Sequence, residues 1–135
     1  MTRFNQKFTP FFALASLAFV CQSALAQSVD FVEPKNGQTV SSPFKVAFAV
    51  SGMGVAPAGD LTKDTGHHHL LINASAIPEG TIIPADETHM HFGKGQTETQ
   101  VTLPPGRYKL QMQFANGVHQ SYGEKMSKTI EITVK

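Results

Sequence analysis

Five of the six histidines in this chain fall into two short words, "TGHHHLLIN" at 65–73 and "THMHF" at 88–92. In an extended chain residues i and i+2 point to the same side, with Cα atoms about 6.5–7 Å apart. His67 and His69 therefore form one pair and His89 and His91 another, each able to lean onto a single ion. Neutral imidazole nitrogen suits copper and zinc, at about 2.0–2.1 Å from a zinc. If the two strands pair suitably the four rings converge, and His119, just past the Asn116-Gly117 turn, is a fifth candidate ligand. His68 lies on the other parity, in line with Leu70 and Ile72, and is expected to be buried and bonded to backbone.

A cluster of this kind has a second use. Imidazole both donates and accepts hydrogen bonds, so histidines at a sheet end can tie loops together without any metal. Two long connections run into the two words, residues 52–66 ("GMGVAPAGDLTKDTG") and 74–87 ("ASAIPEGTIIPADE"). Loops of that length in a small domain are often functional. Lys94 and Gln96 are expected to hydrogen-bond across the cluster, and a Met53 thioether in the first loop would favour cuprous ion. Ser41, Ser42 and Ser51 lack a nucleophile-elbow context, and "GKGQT" lacks the spacing and helix of a phosphate loop, reading instead as a glycine turn. No catalytic residue is expected.

The elements that must position these histidines are strands. In "FKVAFAVS" Phe44, Val46, Phe48 and Val50 alternate with smaller or polar residues. In "RYKLQMQF" Tyr108, Leu110, Met112 and Phe114 share one face, while Arg107, Lys109, Gln111 and Gln113 share a polar one. Ile130, Ile132 and Val134 repeat the pattern. This is the period of half-buried strands, and no stretch of the mature chain shows helical spacing. Weaker strands are expected at 29–32, 68–73, 88–92 and 97–103. Pro34, Asn36-Gly37, Pro104-Pro105-Gly106 and Asn116-Gly117 supply turns between them. The reading is all-β, an antiparallel immunoglobulin-like β-sandwich of about seven strands, with a closed small barrel as the rival.

Residues 1–26 read as a cleaved signal peptide: Arg3 and Lys7, an apolar run from Phe11 to Val20, then Ala24-Leu25-Ala26 as the cleavage site. The bulky residues ahead of Cys21 speak against lipidation, and the apolar run is too short to span a bilayer. The mature chain, 27–135, is expected to be one periplasmic domain. It has lost the only cysteine, so neither a disulfide nor a thiolate ligand is available to it. The whole chain carries a formal charge of +1. Without Arg3 and Lys7 the domain carries about one net negative charge, scattered, which excludes nucleic acid and an anionic membrane as expected partners.

The words "VDFVEPKNGQTVSSPFKVAFAVSGMGVAPAG", "TGHHHLLIN", "HMHFGKGQTETQVTLPPGRYKLQMQF" and "NGVHQSYGEKMSKTIEITV" resemble a family of small secreted bacterial proteins, the domain of unknown function 4399. That resemblance implies an exported single domain and no particular activity. The first strand, proline-glycine turn and second strand are similar to those of periplasmic copper-resistance proteins of immunoglobulin-like fold, but those families place a histidine at the mature N-terminus where Gln27 stands here. "HMHFG", 89–93, resembles the H-x-H-x-F-G word of copper/zinc superoxide dismutases, without their cysteine pair or zinc loop. Three functions follow in order of support. The first is a periplasmic copper protein, with zinc as the alternative metal, for buffering or delivery through His67, His69, His89, His91 and His119. The second is a metal-free envelope module that meets a protein or glycan partner. The third is a dismutase-like oxidoreductase.

Overall fold

The computed structural model describes residues 25–135. The expected leader lies outside the described residues except for Leu25 and Ala26. Nine strands form in order: β1 (Ser28–Glu33), β2 (Thr39–Val40), β3 (Phe44–Ser51), β4 (Gly54–Val55), β5 (Thr65–Ile72), β6 (His89–His91), β7 (Glu98–Val101), β8 (Gly106–Ala115) and β9 (Ser127–Val134). Among the described residues a single 3-10 turn, Glu124–Met126, precedes β9. Seven of these are the strands that alternation marks. The two extra ones, β2 and β4, are two residues long, too short to carry a period, and both pair in parallel.

Two sheets make a mostly antiparallel sandwich. One is β1-β3-β7; the other runs β2-β9-β8-β5-β4, with β6 also paired to β5. Between them lies the core expected from the alternation, including Phe31, Val46, Phe48, Leu70, Met112 and Ile130. Such apolar side chains each contribute about 1.5–3 kcal/mol when taken fully out of water.

The central strand β5 departs from the half-buried pattern. From Gly66 to Ile72 every residue is buried, on both faces. His68, Leu70 and Ile72 face the other sheet, and His67, His69 and Leu71 face outward yet are 0%, 1% and 0% exposed. The polar face expected for β8 is likewise covered at Gln111 and Gln113. The cover is the connection from Asn73 to Thr88, which lies over this outer face. Ile77 N–H reaches Gln113 Oε1, Ser121 Oγ donates to the Ile77 carbonyl, and Ile83 N–H bonds the His119 carbonyl. Alternation could not show this, because the covering segment is itself polar and irregular.

Gly66 lets β5 approach β8 closely. A Cβ there would sit 2.2 Å from the Ala115 carbonyl oxygen and 2.8 Å from the Phe114 ring. Gly66→Ala is expected to lower the unfolding free energy by about 1–3 kcal/mol, as overpacking against fixed backbone does. Urea unfolding checks this, and a midpoint equal to wild type would mean the strand separation is not fixed.

Candidate metal centre

Register decides which histidines meet. β5 pairs antiparallel with β6 so that His69 lies opposite His91 and Leu71 opposite His89. On its other side β5 pairs with β8, with His67 opposite Ala115, the last residue before the turn that carries His119. His91 and His119 thus arrive from opposite neighbours of β5 onto the two outward imidazoles of that strand. His67, His69, His91 and His119 each offer a nitrogen, and these four atoms all lie within 4.8 Å of one another. Ring centroids are 4.9 Å apart for His67 and His69, 5.0 Å for His69 and His91, and 4.7 Å for His91 and His119.

His89 does not join them. It sits two ladder pairs beyond His91, opposite Leu71, a step of about 6.5–7 Å away from the cluster. Its Nδ1 bonds Asp86 Oδ1 at 2.8 Å, and Thr88 donates to the same oxygen through its N–H and hydroxyl. These bonds, led by that from His89, hold the Asp86 carboxyl down to about 2. Shared parity was therefore a sound guide to face and an insufficient one to position. The expected convergence of two H-x-H pairs is realised by one full pair, half of the other, and His119.

The turn behind His119 is wider than a two-residue Asn-Gly hairpin. Asn116 N–H bonds the Gln120 carbonyl and His119 N–H bonds the Asn116 carbonyl, each at 2.9 Å. His119 takes the left-handed position of this turn, φ 67°. That position usually favours glycine or asparagine. Gly93 has a different part. It follows His91 by two residues, and a Cβ on it would lie 2.2 Å from the His91 imidazole. Its missing side chain is the room that imidazole occupies, a role that reading it as a turn residue alone misses.

The electrostatics suit neutral ligands. Burial, followed by the neighbouring His91 and His119, pushes His67 down to about 4. Burial, then His67, His91 and His119, pushes His69 down to about 3. Burial and then His119 lower His91 as well. His67 Nε2 and His119 Nδ1 lie 3.2 Å apart and share a hydrogen bond. His67 Nδ1 and both nitrogens of His69 are buried without any hydrogen-bond partner. An orphaned buried polar group costs about 1–3 kcal/mol, and the clustering of several on His67 and His69, within a group of four imidazoles, is compatible with a divalent cation. Ligand nitrogens around a tetrahedral zinc lie about 3.3 Å apart, given bonds of about 2.0–2.1 Å. The four residues fit such an ion.

The remaining expectations divide. His68 is buried as expected, but neither of its nitrogens has a partner, backbone included. It is held instead between the rings of Phe48 and Phe114, with centroids 5.1 and 4.9 Å away. Gln96 Oε1 accepts from the backbone of Lys94 and so closes its own turn, where a bond across the cluster was expected. Met53 is partly buried and packs against the hydrophobic core.

A family model described as Domain of unknown function (DUF4399) matches residues 46–135, a span that contains all four clustered histidines. No curated protein and no solved structure matches the chain.

Three buried histidines with lowered values make the metal-free protein sensitive to acid. Folded His67, His68 and His69 stay neutral down to about 4, 4 and 3, whereas unfolded they protonate near 6.5. The unfolded chain then binds more protons below 6.5, so stability is fully present above that value and falls as pH drops toward 4. The slope is up to about 1.4 kcal/mol per pH unit for each histidine. Urea midpoints measured in chelator at pH 7.5, 6 and 5 should fall steadily; a flat profile would mean that the three rings are solvated.

Proposed function

The chain belongs to the DUF4399 family, whose description names no activity, and from that premise we propose that it is an exported periplasmic protein that binds copper through His67, His69, His91 and His119. The observation that carries this reading is the group of four imidazole nitrogens within 4.8 Å, three of whose neighbouring buried nitrogens lack any protein partner. A structural cluster would spend its nitrogens on backbone, and these do not. Copper is placed ahead of zinc because an all-imidazole site follows the general order in which divalent copper binds more tightly. Neutral ligands near pH 7 also give up no proton when the ion enters.

Buffering or delivery is the role that suits the site's exposure. His67 and His69 are buried, His119 is half-buried and His91 is exposed. An ion held on a fixed pair and reached through an exposed ligand can be exchanged. No helix among the described residues is long and apolar enough to cross a membrane, which accords with a protein released into the periplasm after leader cleavage.

Calorimetric titration in a non-chelating buffer is expected to show one equivalent of Cu(II) bound tighter than about micromolar, ~8 kcal/mol, with Zn(II) weaker. His67→Ala and His91→Ala should each lose at least about tenfold in affinity while remaining folded, and His89→Ala should bind as wild type. Binding that survives His67→Ala, or that His89→Ala abolishes, would overturn this ligand set.

Gly93→Ala offers an independent check, because it adds no charge and removes no ligand. Its methyl group must displace the His91 ring, so Cu(II) affinity should fall about tenfold or more with little change in the urea midpoint. Unchanged affinity would show that His91 does not bind from its observed position.

A further inference from the structure

Few large apolar side chains are exposed among the described residues, and most of those gather at one end. Leu61, Ile82, Val118 and Val55 are 73%, 64%, 47% and 37% exposed. Each is tied to a segment that presents a clustered histidine. Val118 immediately precedes His119. Ile82 bridges Gln120, and the next residue, Ile83, bonds the His119 carbonyl. Leu61 lines a surface hollow with Asn116 and Gly117, and Gly59 N–H bonds the Gly117 carbonyl at 2.8 Å. Val55 pairs with Gly66, the residue before His67, and Ala58 N–H bonds the carbonyl of Gly93, beside His91. The fold needs none of these side chains for its core.

The charge on the same two loops is one-sided. Residues 52–64 and 74–87 carry Asp60, Asp64, Glu79, Asp86 and Glu87 against a single cation, Lys63. All but Asp60, which is half-buried, are exposed. Exposed Lys94, next to Gly93, adds a second cation beside His91, so acidic groups outnumber basic ones there without excluding them, and the other exposed cations include Arg107, Lys125, Lys128 and Lys135. An acidic rim around apolar contacts repels a copy of itself and an anionic lipid surface, and it attracts a basic one.

We propose that this rim is the docking surface for a protein partner with an apolar patch ringed by lysine or arginine, and that metal passes to or from that partner at His91. The proposal rests on the metal-binding reading above and names its partner's chemistry. Transfer is ligand exchange: imidazoles of one protein are replaced in turn by donors of the other, the ion keeps its oxidation state and no electron moves. Apolar contact holds the two sites together while the exchange proceeds, and charge raises the encounter rate.

The test uses two synthetic peptides with the same His-x-His chelating core and matched Cu(II) affinity, one flanked by leucine and lysine, the other by leucine and glutamate. The protein is first loaded with one equivalent of Cu(II), and its loss is followed by stopped-flow absorbance. Transfer to the lysine peptide should be about tenfold faster or more at low salt, with the advantage shrinking as salt shortens the Debye length to ~3 Å at 1 M. Leu61→Ser/Ile82→Ser/Val118→Ser should load Cu(II) with wild-type affinity and slow transfer to both peptides by about fivefold or more, because the apolar contact is common to both. Equal rates to both peptides, or rates that the triple variant leaves unchanged, would overturn the docking surface while leaving the metal site standing. A protein that takes up no copper fails at the loading step and removes both readings. A concentration-dependent dimer in sedimentation, abolished by the triple variant, would assign the rim to a second copy and overturn the proposal.

Discussion

The whole arrangement depends on β5 being buried on both faces. A strand inside a sandwich normally buries one side and shows the other to water. Here the inner side meets the opposing sheet through His68, Leu70 and Ile72, and the outer side is closed over by the connection between β5 and β6. Any polar group on that outer side has lost water and must find a partner. Of the nitrogens on His67 and His69, only His67 Nε2 finds one, His119 Nδ1, and the other three face neighbouring imidazoles with no hydrogen bond. Protonation of either would place a cation among dipoles that cannot solvate it, so the rings stay neutral, which is the state in which imidazole binds a metal.

The loops that create this burial also place the remaining histidines of the cluster. The Ile83–His119 backbone bond fixes the turn on one side, and the Ala58–Gly93 bond fixes the corner after His91 on the other. Tyr122 closes the same end from below, its hydroxyl donating to the Thr65 carbonyl at 2.7 Å. Covering the sheet and assembling the cluster therefore rest on the same contacts, made between residues far apart in sequence.

That separation explains what could be read beforehand. The strands around Phe44, Leu110 and Ile130 were legible because alternation is a local property of a half-buried strand. His67 and His69 were legible for the same reason, since i and i+2 on one strand must share a face. The position of His89 was not, because register is a relation between two strands: a two-residue shift along β6 would have set His89 opposite His69 and His91 opposite His67. The burial of Gln111 and Gln113 was hidden too, since their cover is a loop with no period. Gly93 was read as a turn residue, and its second task, leaving space for a ring two residues earlier, has no signature in a single sequence.

Within the cluster the four histidines differ in how firmly they are held. His67 and His69 stand on a strand laddered to β8 along six residue pairs, from His67 to Ile72. His91 ends a three-residue edge strand, and His119 sits in a turn with left-handed backbone. Nitrogens spread within 4.8 Å must close to about 3.3 Å around a tetrahedral ion, and the ladder leaves β5 little freedom to move. The contraction then falls on His91 and His119. In the proposed metal site, part of the binding energy would go to drawing in two compliant histidines, which would lower affinity relative to a rigid cage. The same compliance would open a path for release, because the histidines that must move to admit an ion are the more solvent-accessible ones.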